Sequence, residues 1–300
     1  MSDTRLQSVT QTQRERLFHI DFRLFFLGAI NRNDLVSRFG IKEAAATRDI
    51  TLYKELAPKN LEYDTKAKTY IQREGFSPLF SYSSHQALAA LLHGYGDDFV
   101  STIHTFDAAE APAHLHFPAC DILAFVTRAI YSQRAIKIAY RSLSSGLTQR
   151  EIVPHSLIDN GLRWHVRAFD RLKQHFSDFV INRIEQPCLV ENLTVSDIET
   201  KAADQQWNQF VELQLVPHPA LRYPETIAHE YGLHNSELTL LVRAAVAGYV
   251  LRRWNVDCSE NHALVGPEYH LWLKNRQALA EIGNLVLAPG YSATNTDVRP

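Results

Sequence analysis

The chain has 300 residues, is 45% apolar, and sets 31 Lys and Arg against 33 Asp and Glu for a formal net charge of −2. This length fits roughly two or three domains with packed cores. The pattern lacks the run of about eighteen apolar residues that a membrane span needs, and the start Met1-Ser2-Asp3-Thr4-Arg5 lacks a charged-then-apolar leader. Cys120, Cys188 and Cys258 are scattered and odd in number, so they form neither a disulfide framework nor a metal motif, and a cytoplasmic location is expected.

Charge is unevenly spread. Residues 1–75 hold 13 basic and 10 acidic side chains, and residues 135–190 hold 8 and 5. Residues 76–134 hold 2 and 5, and residues 191–300 hold 8 and 13. Two mildly basic blocks between acidic ones point to two places that meet anions.

In chain order, Leu17, Ile20, Leu24 and Leu27 recur at helical spacing and predict a helix from Thr12 to about Leu27. Gly28 and Asn31-Arg32-Asn33 end it, and Asn33 is placed to cap a short helix, Asp34 to Phe39. Gly40 supplies a turn before a third helix, Lys42 to Leu56. A short helix, a glycine-containing turn and a longer helix make a helix-turn-helix.

On the third helix, Ala45, Ala46, Ile50, Leu52, Tyr53 and Leu56 fall on one side, while Ala44, Thr47, Arg48, Thr51 and Glu55 fall opposite. Lys42, Glu43 and Lys54 sit at the edges. The polar side is short at its centre, which lets a helix enter the major groove of DNA closely. Asp49 interrupts the apolar side, where a hydrogen bond or salt bridge is expected to satisfy it. Leu61-Glu62-Tyr63 and Lys68-Thr69-Tyr70-Ile71 then read as a hairpin with Lys66 and Lys68 at its tip, where a wing touches phosphates. The candidate DNA-contacting residues are Lys42, Ala44, Thr47, Arg48, Thr51, Lys54, Lys66 and Lys68.

Residues 76–134 carry two helical stretches, Ser84–Gly94 and about Cys120–Gln133, and read as a helical bridge with a dimer contact. His114-Leu115-His116 with Cys120 matches no strong zinc spacing, so loop histidines are expected there and no metal or other cofactor.

From Ala135 the pattern turns to strands: Ala135–Arg141, Gln149–Pro154, Leu157–Ile158, Arg163–Asp170 and Asp178–Ile184. Short strands with tight turns predict a small, strongly bent barrel. Tyr140, Arg141, Ser142, Ser144, Ser145, His155, Trp164, His165, Arg167, Arg171, Asn182 and Arg183 form a polar and aromatic set there. Guanidinium groups grip phosphate bidentately and aromatic rings stack on bases.

The order Ile138-Ala139-Tyr140-Arg141-Ser142, Pro154-His155-Ser156-Leu157, Arg163-Trp164-His165-Val166-Arg167-Ala168-Phe169-Asp170 and Ile181-Asn182-Arg183-Ile184 resembles the WYL domain of bacterial regulators. Asn33-Asp34-Leu35-Val36-Ser37-Arg38-Phe39-Gly40-Ile41 and Leu61-Glu62-Tyr63-Asp64 resemble the DNA-binding module of the BrxR/CapW group, dimeric regulators, mostly repressors, of phage-defence operons. The resemblance covers essentially the whole chain. It implies a winged helix-turn-helix (1–75), a helical linker (76–134), a WYL ligand-sensing domain built as a small SH3/Sm-like β-barrel (135–190) and a C-terminal α+β extension for dimerisation and gating (191–300). It also implies a homodimer on an inverted-repeat operator, with a nucleotide or nucleic-acid fragment as effector. By motif position Ser142, His155, Arg167 and Arg183 carry the ligand role, with Tyr140 and His165 secondary. The name-giving triplet reads Trp164-His165-Val166 here, so histidine replaces the ligand-facing tyrosine.

The C-terminal pattern predicts strands at Trp207–Val216, Glu237–Ala245, Tyr269–Leu273 and Leu285–Leu287. Helices are expected at Ala220–Tyr231, Val246–Trp254 and Gln277–Ile282, before a disordered tail from Ser292 to Pro300. No phosphate-cradling glycine loop, HExxH or nucleophile elbow occurs, which leaves little support for an enzyme. A nucleic-acid-binding scaffold without ligand control is the first competing reading, and a nucleotide-processing enzyme in which His155 or His165 hydrolyses a bound nucleotide is the second.

Overall fold

A computed structural model describes residues 9–93, 116–190 and 194–292. The chain divides into two units: 1–155 with 166–194, and 156–165 with 195–300. Content is α+β. Among the described residues no helix is long and apolar enough to cross a membrane.

The first unit opens with α1 (Gln11–Leu27), β1 (Ala29–Ile30), α2 (Arg32–Phe39), α3 (Glu43–Leu56), β2 (Leu61–Asp64) and β3 (Thr69–Gln72). Thr10 caps α1, and Gly28 closes it with φ 82, a left-handed conformation that glycine adopts without strain. The cap of α2 is Asn31, not Asn33. The Asn31 side chain accepts from the Asp34 N–H at 3.0 Å, and the Asp34 carboxylate accepts from the Asn31 N–H at 2.7 Å. This reciprocal box satisfies two helix-end donors that a cap at Asn33 would leave open.

Leu17, Ile20, Leu24, Leu35, Ala46, Ile50, Tyr53 and Leu61 form the core of the three helices and the wing. The hairpin gains a third strand that the sequence pattern did not reveal: β1 pairs antiparallel with β3, giving the order β1-β3-β2. Two residues are too short to leave a period.

After α4 (Ser84–His93), α5 (Cys120–Tyr131) packs on α1. The Thr127 hydroxyl donates to the Phe26 carbonyl at 2.6 Å, and the Arg128 guanidinium donates to Phe25 at 2.6 Å, closing carbonyls at the C-terminal end of α1. His114 of the histidine pair lies outside the described residues.

Five strands follow: β4 (Ile136–Ser142), β5 (Gly146–Asp159), β6 (Trp164–Asp170), β7 (His175–Val180) and β8 (Ile184–Leu189), in the sheet order β7-β6-β5-β4-β8. Strand β5 is one continuous strand rather than two. Pro154 is tolerated because pairing with β4 ends at Ile152, so its missing N–H costs no bond to that neighbour. Asn182 and Arg183 lie on a 3-10 turn, Ile181–Arg183, and not on a strand; the chain turns there from edge strand β7 to edge strand β8. The described pairings are those of an open sheet, and no β7–β8 pairing that would close a barrel is among them.

In the second unit, β9 (Phe210–Pro217) is flanked by β10 (Leu238–Arg243) and β11 (Leu271–Leu273), both antiparallel to it. The helices are α6 (Gln205–Asn208), α7 (Pro224–Glu230) and α8 (Ala244–Arg253). Trp207 belongs to α6 rather than to a strand, because the Asp204 carboxylate accepts from its N–H at 3.1 Å and starts a helical turn. Gly248 lets α8 approach the 3-10 turn Gly283–Leu287, where a Cβ would lie 2.0 Å from the Asn284 carbonyl oxygen. The same stretch was expected as a strand, but Asn284 holds it as a turn by accepting from the Gly248 N–H at 3.1 Å and donating to the Ala245 carbonyl. Within this core, buried Asp257 accepts from the Ser259 N–H at 2.7 Å and the Leu264 N–H at 3.2 Å. His218 takes the Ala220 N–H on Nδ1 at 3.2 Å, so Nε2 carries the proton shared with Asp257 at 3.1 Å.

Candidate nucleic-acid interface

The candidate interface is built on α3. Its buried side, Ala46, Ile50, Tyr53 and Leu56, sits in the helical core, and Lys42, Ala44, Thr47, Arg48, Thr51, Lys54 and Glu55 are exposed. Asp49 points inward and is satisfied as expected: Arg16 of α1 donates to it at 2.6 Å and Gln13 at 3.3 Å. This pair fixes the rotation of α3 on α1, so the face bearing Thr47, Arg48 and Thr51 turns outward. The Thr47 hydroxyl donates to the Glu43 carbonyl at 2.9 Å, and the Thr51 hydroxyl to the Thr47 carbonyl at 2.9 Å. Arg48 has no ion pair or hydrogen bond among the described residues.

The wing tip is ordered by Asp64, whose carboxylate accepts from the Lys66 N–H at 2.8 Å and the Ala67 N–H at 3.0 Å. Lys66 and Lys68 are exposed on this turn, Lys68 with φ 52. Tyr63 and Tyr70 meet across the hairpin as tilted rings with centroids 4.9 Å apart.

Beneath this surface lies a polar network that sequence reading missed. Asp21, fully buried on α1, accepts from the Tyr53 hydroxyl, from Tyr82 at 2.7 Å, and from the N–H groups of Leu79 at 3.1 Å and Phe80 at 3.3 Å. Asn60 donates to the Tyr53 oxygen at 3.0 Å and exchanges two bonds with the Ser77 backbone. Burial raises the Asp21 pKa above the carboxylate range and outweighs these donors, which pull the other way. Tyr53 is pushed up by burial and by the Asp21 charge. The available signal was an aspartate four residues from Leu17 on the apolar side of α1. Nearby His19, buried and edge-on to Phe39 at 5.6 Å, is lowered to about 3 by desolvation and then by the charges of Arg38 and Arg23.

The residues expected to face a ligand are spread. In the first unit, the Tyr140 oxygen accepts from the Val180 N–H at 3.2 Å, and its ring meets Phe179 edge-on at 5.0 Å. Strand register sets Tyr140 opposite Ile184, beside the turn that carries Arg183. Arg183 is half-buried, with no ion pair among the described residues. Arg167 is 7% exposed and paired with Asp178 at 3.1 Å. His155 meets Phe176 edge-on at 5.6 Å. The Ser142 oxygen accepts from the Ser144 and Ser145 N–H groups at 3.2 and 3.3 Å, which ties it into the β4–β5 turn. His165 belongs to the second unit, buried against the Tyr249 ring at 5.1 Å. All seven residues of β6 are buried, so His165 and Arg167 do not lie on an open polar face. Arg150 and Asp170 form a further buried pair at 3.0 Å. Among the described residues no group of three His, Cys, Asp or Glu could hold a metal ion.

Comparison with known families places models along most of the chain. Residues 12–94 match the BrxR transcriptional regulator winged helix-turn-helix domain, 121–189 the WYL domain, and 210–279 the BrxR transcriptional regulator C-terminal dimerization domain. Curated relatives agree. The DNA-binding transcriptional repressor CapW of Escherichia coli (strain KTE188) is 32% identical over 283 residues, 89% of this chain and 90% of that protein. The chain belongs to the BrxR/CapW family of transcription regulators. CapW of Pseudomonas aeruginosa is 32% identical over 286 residues, covering 90% of this chain and 91% of that one. CapW of Stenotrophomonas maltophilia is 32% identical over 255 residues, covering 82% and 84%. A structural likeness to the proteasome accessory factor B/C of Arthrobacter aurescens, at 16% identity, spans 81% of this chain and 44% of that one. Its TM-score of 0.26 is too low to carry an argument.

Proposed function

We propose that this protein is a homodimeric, cytoplasmic, non-enzymatic repressor of a phage-defence operon, which reads an inverted repeat with two copies of α3. The carrying observation is the outward face of α3: short at its centre, with a single unpaired guanidinium at Arg48, and fixed in rotation by Arg16 and Asp49. A helix of this shape fits the major groove, and Lys66 and Lys68 on the wing reach flanking phosphates. The names of the CapW relatives and of the C-terminal family model support repression and dimerisation.

The finer reading divides the chain at 75, 134 and 190, closes the five-stranded sheet into a small barrel, and gives that barrel a nucleotide or nucleic-acid fragment as effector. Tyr140 and Arg183 are its anchoring pair, since a guanidinium without an ion pair among the described residues suits a phosphate. Arg167 joins them by exchanging Asp178 for the ligand, with Ser142 and His155 as further contacts. Effector binding then shifts the affinity for DNA through coupling between the two sites.

The test is a mobility shift with DNA from upstream of the protein's own gene, at moderate salt with excess nonspecific competitor. A discrete complex that resists competitor and is lost in Arg48→Ala supports the reading. Binding that competitor removes refutes it, leaving only electrostatic attachment. Arg183→Ala should keep DNA binding and lose any response to added nucleotides.

A further inference from the structure

The hydrogen bonds on α3 restrict what its two threonines can recognise. A threonine hydroxyl has one proton, and in Thr47 and Thr51 that proton is on a carbonyl of the same helix at 2.9 Å. With that bond kept, neither residue donates to the acceptors of a base edge. Each offers the groove only hydroxyl lone pairs and a methyl group. Ala44, on the same exposed face, offers a methyl alone.

Base pairs differ in whether they can use this offer. An A·T pair shows both a thymine C5-methyl and an adenine amino donor in the major groove, whereas a G·C pair shows the cytosine amino donor and no methyl. Arg48, exposed and without an ion pair among the described residues, supplies the opposite chemistry, two parallel donors that match guanine O6 and N7. We propose that Thr47 and Thr51 select A·T pairs through their methyl and amino groups, and that Arg48 selects a neighbouring guanine. This rests on the DNA-reading function proposed above and names the base classes it reads.

The test begins by selecting sites for the full-length protein from a random duplex library. The selected duplex is then rebuilt with deoxyuridine at one thymine at a time, removing only the methyl. Selected half-sites should hold A·T pairs beside a fixed guanine, and each contacted methyl lost should weaken binding about fourfold. Thr47→Ser and Thr51→Ser keep the hydroxyl, so each should abolish the deoxyuridine penalty at one position and leave the other. Replacing the guanine by 7-deazaguanine should weaken the parent protein and not Arg48→Ala. Discrete, competitor-resistant complexes indifferent to deoxyuridine would overturn this inference while leaving DNA reading intact. If no site is enriched, DNA reading and this inference fall together.

Discussion

Replacing Asp21 by alanine should destabilise the DNA-binding module more than any exposed substitution on it. The carboxylate is fully buried and accepts from two phenols and two backbone N–H groups. A buried donor left without a partner costs about 1–3 kcal/mol. Water in the vacated space can serve about half of the four stranded donors, so the net loss is about 3–4 kcal/mol. Against a total of about 5–15 kcal/mol for a domain, this is large. Urea denaturation followed by far-ultraviolet circular dichroism gives the loss, and amide exchange at Leu79 and Phe80 localises it. Asp21→Asn keeps one acceptor oxygen and should cost less. The upward pKa means the folded state holds the Asp21 proton longer than the unfolded chain does. This group therefore contributes stability at low pH that is lost as pH rises through its raised value. Asp21→Asn should remove that dependence. A loss below about 1 kcal/mol in Asp21→Ala, with Leu79 and Phe80 still protected, would refute the network as a stabilising device.

His19 should act with the opposite sign. Its folded pKa is about 3 against 6.5 unfolded, so only the unfolded chain takes a proton between those values. Stability should fall by up to about 1.4 kcal/mol per pH unit below 6.5, and His19→Gln should flatten that slope in urea titrations at several pH values. Asp170→Ala strands a guanidinium that is 8% exposed, and should cost about 3–5 kcal/mol by the same denaturation assay. Removing Arg150 as well, as Arg150→Met with Asp170→Leu, should recover most of that loss. Asp49→Ala releases α3 from Arg16; DNA affinity measured by mobility shift should drop by at least tenfold, on the order of 1.4 kcal/mol, while circular dichroism at the assay temperature stays unchanged.

The faces of the helices were legible because burial there follows a local period. The side of α3 assigned to the core by spacing is the side that packs, and the polar residues assigned outward are exposed. Hairpins were legible where turn residues sit between alternating strands, as at Asp64 and Lys68. What escaped depends on contacts distant in sequence. Asp21 meets Leu79, β1 meets β3, and Arg150 meets Asp170, and no local period marks any of these. Alternation misled in β6 because it distinguishes two faces and not which is covered; there both are buried. For the same reason, a motif order that named Arg167 and Ser142 could not say that the first is paired with Asp178 and the second tied into a turn.

The polar contacts behind α3 have a consequence that its apolar core cannot supply. Apolar side chains tolerate small rotations and slides at little cost, since burial is non-directional. A helix that reads base edges needs its outward side chains fixed within about 0.5 Å and about 10–20°, because a bidentate guanidinium contact weakens outside that range. Hydrogen bonds and ion pairs are directional, and α3 has one at Asp49 to α1 and another at Tyr53 to Asp21. The two residues lie four apart, one turn of helix, so both the rotation and the axial position of α3 are set from the same side. The outward face is thereby specified by inward residues that touch no DNA, and the burial of an aspartate at each contact is the cost of that alignment.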